Sequence, residues 1–236
     1  MTTYTEIDGN EDSMQLSLVR HGLPQRIDPG VLPAGVAADP GLTDLGRKQA
    51  RATGEFLTSE HVVAVHASPV RRAWETGTTI AEAIGLSVEE CAGVAEWDAD
   101  ATSYIPIEER MADDDGMWRA LRAGRLPDES FDGAQFRRVV VAAVDELLAA
   151  HADAASHESL VVVTHAGVVN AYVGHLLERP DPFWLPLPVA PGYCSITRIA
   201  VEDRTQSVRV VSVNETAHVR DLLPLRGPTT VLNAPR

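Results

Sequence analysis

Two short apolar runs, each ending in a histidine with a glycine close behind, constrain this chain most. Leu16-Ser17-Leu18-Val19 leads into Arg20-His21-Gly22, and Leu160-Val161-Val162-Val163-Thr164 leads into His165-Ala166-Gly167. Runs of this length and composition read as buried strands. In open α/β sheets, ligands bind at the carboxyl ends of the strands, so both histidines and Arg20 are expected at one such edge. Gly22 lets the backbone turn sharply there and pass close to a bound group. Val168 to Leu177 has apolar residues at helical spacing, which puts His165 where a strand becomes a helix and where the first free N–H groups favour an anion. Arginine offers a planar, permanently charged fork for phosphate. Histidine is a neutral nucleophile near pH 7. Arg-His-Gly alone occurs by chance in many proteins, and a lone histidine more often just caps an element. Two in equivalent positions point instead to chemistry on a phosphoryl group.

A third element follows the strand-like Val62-Val63-Ala64-Val65-His66-Ala67, where the chain reads Ser68-Pro69-Val70-Arg71-Arg72-Ala73. Ser68 is expected to cap a helix, with Pro69 in its first turn. Arg72 then sits against the dipole preference of that turn, which calls for an anionic partner. Arg71 reads as a surface residue paired with Glu75 or Glu55.

The alternation of β and α patterns along 236 residues predicts a three-layer α/β/α sandwich with a mostly parallel central sheet. Residues 1–13 read as a mobile arm and 14–236 as one domain. Strands are expected near Leu16–Arg20, Val62–Ala67, Leu86–Cys91, Leu160–Thr164, Cys194–Ala200 and Val208–Val213, the last two antiparallel. Helices are expected from Thr43 as cap to about Leu57, from Pro69 to about Ile84 with Gly85 as terminator, from Asp132 to His151, and from Ala166. The stretch at about 97–131 breaks the rhythm. It reads as an insertion of one or two short helices over the carboxyl edge of the strands.

Composition sets limits. A net charge of −14 makes nucleic acid and anionic membrane surfaces poor partners. No apolar run is long enough for a bilayer span, and the polar N-terminus lacks the pattern of a signal peptide. Cys91 and Cys194 show no metal-ligand spacing, which fits a reduced cytoplasmic setting. Oligomerisation of identical chains is left open by the sequence.

The three elements together resemble the histidine phosphatase superfamily, the phosphoglycerate-mutase-like proteins. Arg-His-Gly, Ser-Pro-x-x-Arg-Ala and the late strand-His-x-Gly segment match its motifs in order. Leu42-Thr43-Asp44-Leu45-Gly46-Arg47-Lys48-Gln49-Ala50 resembles its Leu-Thr-x-x-Gly-x-x-Gln-Ala helix start, and Glu96 lies where the family carries its acidic proton donor. The resemblance implies that His21 is the nucleophile and forms a phosphohistidine, with the carbonyl of Gly22 fixing its tautomer. It also implies that Arg20, Arg72 and His165 bind the phosphoryl oxygens, and that Glu96 is the general acid and then base. Glu96 therefore needs a site that raises its pKa, which Trp97 could help shield. Asp98, Glu108 and Glu109 are nearby alternatives. Ala166 falls at a position where the family carries glycine or another small residue. No cofactor or metal is required, and Asp113-Asp114-Asp115-Gly116 lacks the spacing of a calcium loop.

The continuation Leu23-Pro24-Gln25-Arg26-Ile27 departs from the mutase-type pattern of hydroxyl and asparagine side chains. Gln25 or Arg26 is the candidate substitute for substrate contact. The departure favours a phosphatase acting on a small phosphorylated metabolite over a cofactor-dependent phosphoglycerate mutase. A noncatalytic phospho-ligand-binding member is the alternative from another class. His218 reads as structural. The segment 97–131 carries nine acidic against four basic side chains, which predicts a preference for phosphate esters of neutral or cationic alcohols.

Overall fold

A computed structural model describes residues 13–113, 116, 119, 132–152, 157–180, 189–202 and 207–223. At the centre of its six-stranded sheet, β4 (Ser159–Thr164) is flanked by β1 (Ser13–Arg20) and β2 (Val62–Ala67). These three run parallel. β3 (Val88–Glu90) extends the parallel part beyond β2. Beyond β1, β5 (Ile196–Glu202) and β6 (Val208–Glu215) continue the sheet antiparallel.

The central strands alternate between two cores. Leu16, Leu18, Leu160 and Val162 belong to one, with Val140, Val144, Val168 and Val169. Helices α4 (Gly133–Ala150) and α5 (Ala166–Leu176) supply those last four residues. Val19, Val161 and Val163 belong to the other, with Leu57, Ala73 and Ile80 from α1 (Asp44–Leu57) and α2 (Arg71–Ile84). A strand covered on both faces must be apolar at successive positions rather than at alternate ones. That is why the two apolar runs identify the sheet centre. Truncating a fully buried leucine here, such as Leu16→Ala, should cost roughly 2–5 kcal/mol.

Register positions the site. Arg20 lies opposite Thr164, and the N–H of His21 donates to the carbonyl of Thr164 at 2.9 Å. His21 and His165 therefore leave the sheet side by side at its carboxyl edge.

The helix starts follow local chemistry. Thr43 Oγ1 accepts the N–H of Gly46 at 3.0 Å, and Asp132 accepts from Gln135 at 2.9 Å. Gly85 ends α2 in the left-handed conformation at φ 77°. Other boundaries differ from expectation. Ser13 is buried in β1, paired with Glu202, so it does not belong to an arm. Residues 1–12 lie outside the described set. α2 begins at Arg71 after Val70, which makes no side-chain cap, so neither Ser68 nor Pro69 has its expected role. β3 is shorter than expected, and β5 begins at Ile196 rather than near Cys194. Within the insertion, α3 (Ile107–Ala112) is a short helix. Residues 120–131 lie outside the described set, as do Asp114 and Asp115. No helix among the described residues is long and apolar enough to cross a membrane.

Candidate active site

His21 is fixed by its own turn. Its Nδ1 lies 2.8 Å from the carbonyl oxygen of Gly22. A carbonyl only accepts, so Nδ1 carries the proton and the Nε2 lone pair stays available. The N–H of Gly22 donates to Thr76 Oγ1 at 3.0 Å, which in turn donates to the carbonyl of Arg72 at 2.7 Å. The turn needs glycine, since a Cβ at position 22 would lie 2.6 Å from the carbonyl oxygen of Gly46 at the start of α1.

His165 faces His21 with ring centroids 5.1 Å apart. Its Nε2 is 2.9 Å from Ser68 Oγ, which also accepts the N–H of Val70 at 3.2 Å. Ser68 is fully buried, and donating its hydroxyl proton to Nε2 satisfies both groups. His165 Nδ1–H is then a buried donor with no partner among the described residues. Ser68 therefore sets the tautomer of His165, a role obscured by its apparent fitness as a helix cap.

Burial first, then the neighbouring charges of Arg72 and Arg20, hold His21 well below the ordinary histidine pKa. His165 is lowered in the same way by burial, Arg72, His21 and Arg20. Both rings are neutral near pH 7. Arg72 is 1% exposed and Arg20 3%. Burial would lower the pKa of Arg20, but Glu108 outweighs it and holds the guanidinium charged. Arg20 contacts Glu108 at 2.8 Å and the carbonyl of Pro191 at 2.7 Å, and covers the ring of Tyr193 at 4.0 Å. The Tyr193 hydroxyl also donates to Glu108. Arg72 contacts Asp98 at 3.0 Å and lies over the ring of Tyr104 at 4.5 Å. Arg20 Nε, Arg72 Nε and Arg72 Nη1 are buried with no acceptor among the described residues. With His165 Nδ1 that makes four unmatched N–H groups around a neutral imidazole.

Glu96 rests on the first turn of α5. One carboxylate oxygen accepts the N–H of Gly167 at 2.9 Å, and the other accepts the N–H of Trp97 at 3.2 Å. Only glycine permits this, because a Cβ at position 167 would lie 2.2 Å from Glu96 Oε1. Burial and the charge of Asp98 raise Glu96 to about 7, against the opposing pull of the Gly167 N–H and Arg72. Trp97 is 37% exposed, and its backbone N–H donates to Glu96. The neighbouring carboxylates are committed elsewhere. Asp98 pairs with Arg72, Glu108 with Arg20, and Glu109 with Arg26.

Gln25 is exposed. Arg26 is engaged by Asp28 and Glu109, both at 2.6 Å. Ala166 opens α5 directly after His165, among the N–H groups that have no acceptor within the helix. His218 bonds the carbonyl of Cys194 at 3.0 Å and stacks on Phe56, a structural arrangement. Arg71 pairs with Glu75 at 2.7 Å. Tyr104, Tyr193, Ser68 and Thr76 complete the pocket without having been singled out for it by sequence.

Known proteins place this geometry. Among solved structures, a mycobacterial glucosyl-3-phosphoglycerate phosphatase superposes with TM-score 0.67 at 23% identity, covering 85% of this chain and 98% of the other. A phosphoserine phosphatase from Entamoeba histolytica in complex with phosphoserine gives 0.63 at 20% identity, covering 87% and 99%. A curated relative, phosphoserine phosphatase 1 of Hydrogenobacter thermophilus, is 36% identical over 73 residues, which is 31% of this chain and 35% of that protein. The chain thus spans about a third of the length of that relative. The family model of the histidine phosphatase superfamily (branch 1) matches residues 16–215. That span runs from the first strand through His21, Arg72, Glu96 and His165, and the chain belongs to this superfamily.

Proposed function

We propose that this protein hydrolyses phosphomonoesters of small metabolites through a phosphohistidine on His21. The supporting observation is the set of four unmatched buried donors, on Arg20, Arg72 and His165, around an imidazole kept neutral. A buried N–H without a partner costs about 1–3 kcal/mol. A phosphoryl group offers three oxygens to such donors while its phosphorus meets His21 Nε2.

In the first step the Nε2 lone pair attacks phosphorus, and the bond to the leaving oxygen breaks. Protonated Glu96 gives its proton to that oxygen, releasing the alcohol. In the second step Glu96 takes a proton from water, the hydroxyl oxygen attacks phosphorus, and the N–P bond breaks. Phosphate leaves, with His21 neutral and Glu96 protonated again. A pKa of about 7 for Glu96 suits a group that must be acid and then base. Arg20, Arg72 and His165 act on charge that develops at the phosphoryl oxygens. The two guanidiniums supply the positive charge, so the mechanism includes no metal, and EDTA should leave turnover unchanged.

Asp98 and Glu108 face the same pocket and favour leaving groups that are neutral or cationic. Gln25, Arg26 and the Ala166 N–H are the candidates for further substrate contact. The charge of −14 argues for small-molecule partners over nucleic acid or membrane. Two unpaired cysteines fit a reducing cytoplasmic location.

The test is a screen of phosphorylated metabolites that measures phosphate release alongside phosphoglycerate interconversion. Release without interconversion, abolished in His21→Ala, is the expected result. Interconversion would identify a mutase, and binding without turnover a noncatalytic member.

A further inference from the structure

We infer that His61, His157 and Glu158 form a zinc site at the amino edge of the sheet, separate from the phosphate pocket. One ligand atom from each residue lies within 4.8 Å of the other two. The imidazoles of His61 and His157 meet edge to face with centroids 5.1 Å apart. Both histidines are exposed, and Glu158 is half-buried.

The sheet ladder holds these positions. His61 immediately precedes β2, and Glu158 immediately precedes β4, with Val62 opposite Ser159. The carbonyl of His61 accepts the N–H of Ser159 at 2.9 Å, and that of Glu158 accepts the N–H of Gln15 at 3.0 Å. The ladder therefore holds the backbone of His61 and Glu158, and rotation of the exposed imidazoles brings the ligand atoms together. Tetrahedral zinc with ligands at about 2.1 Å needs donor atoms roughly 3.4 Å apart. The closure required is at most about 1.4 Å, within reach of exposed imidazoles turning about χ1 and χ2.

The donor set selects the ion. Two imidazole nitrogens and one carboxylate oxygen suit zinc and leave a fourth position for water. Glu158 supplies the carboxylate because its oxygen lies within 4.8 Å of the ligand atoms of both histidines. The site is also remote from the reacting groups. Glu158 precedes β4 and His165 follows it, and the six strand residues between them at about 3.3 Å each separate them by roughly 20 Å. Bound zinc would tie the start of β2 to the segment entering β4 and stabilise the fold by mass action.

The test uses the full chain, untagged and stripped with chelator. Zinc content after equilibration and competition with a chromophoric chelator give stoichiometry and affinity. We expect one zinc per chain and a Tm that rises with zinc. His61→Ala and His157→Ala should each weaken binding by at least about tenfold, with the zinc-free Tm and phosphate-ester turnover unchanged. No zinc retained at ~0.1 mM, the weak end of specific affinity, would overturn the proposal. So would stoichiometric binding that survives both substitutions, which would place the ion elsewhere.

Discussion

Arg198 and Arg72 are both buried arginines, and they serve opposite ends. Arg198 in β5 is saturated. Its guanidinium meets Glu60 at 2.6 and 2.9 Å, Glu215 at 2.9 Å and Gln15 at 2.6 Å. Among the described residues Arg72 has one carboxylate contact, at 3.0 Å to Asp98, and two nitrogens with none. Their acidic surroundings differ in the same sense. Glu215 stays below the usual carboxylate range despite its burial, because Ser212 and Arg198 stabilise its charge. Glu96 is pushed up to about 7. Saturated charge is architecture. Charge left without acceptors, and a carboxyl held against its preferred state, mark where a ligand completes the structure.

Glu96→Gln is the most demanding test of this contrast. It keeps the shape and loses the proton. Alkyl phosphates should slow by about 10²–10⁴, while p-nitrophenyl phosphate, whose leaving group needs little protonation, should change far less. Equal slowing would assign the acid elsewhere. In the wild type, kcat/KM for alkyl phosphates should fall as pH rises through about 7. Stability moves with the same group. Its folded pKa of about 7 lies above the 4.5 of a free glutamate, so the folded state binds more protons and stability falls as pH rises between those values. Glu96→Gln removes that penalty and should stabilise the protein at pH 8 by on the order of 1 kcal/mol, discounted for its partly exposed rim.

The two arginines can then be exchanged as probes. Arg72→Ala should lower kcat/KM by about 10²–10³ with little loss of Tm. Arg198→Ala should do the reverse. It should cost about 2–3 kcal/mol, less than the ~3–5 of a fully buried pair because both carboxylates are partly exposed, and leave kcat/KM nearly unchanged. Equal effects of both on stability and turnover would break the distinction. The smallest effect is expected from Asp98→Asn. Asp98 is the second cause of the raised Glu96 pKa, so its neutralisation should move the basic limb of the pH profile to lower pH.

The contrast also explains what could be read from sequence. Strand ends bearing His21 and His165 were legible because buried parallel strands leave a continuous apolar run and their register brings the next residues together. Arg72 was legible because its position opposed the helix dipole. Thr43, Gly85 and Asp132 followed local rules. Ser68 did not, since α2 starts only at Arg71 and the hydroxyl's partner, His165, is distant in sequence. Glu108, Tyr104 and Tyr193 reach the arginines from a short helix and from loops, with no periodicity to announce them. Arg198 looked like any polar residue in a strand, because its partners Glu60, Glu215 and Gln15 come from separate parts of the chain. The glycine at 167 was visible as a motif, yet its reason, room for the Glu96 carboxylate, exists only in three dimensions.

The central claim is that His21 carries the phosphoryl group. Rapid quench of the wild type with a labelled phosphomonoester tests it most directly. The expected result is a transient phosphoprotein that is acid-labile and base-stable, formed and lost at rates compatible with turnover. It should map to His21 and be absent from a folded His21→Ala, whose turnover should fall by more than the ~10²–10³ of losing one stabilising donor. Steady turnover with no phosphoprotein at any time point, or a His21→Ala variant that keeps most of its activity, would contradict the account.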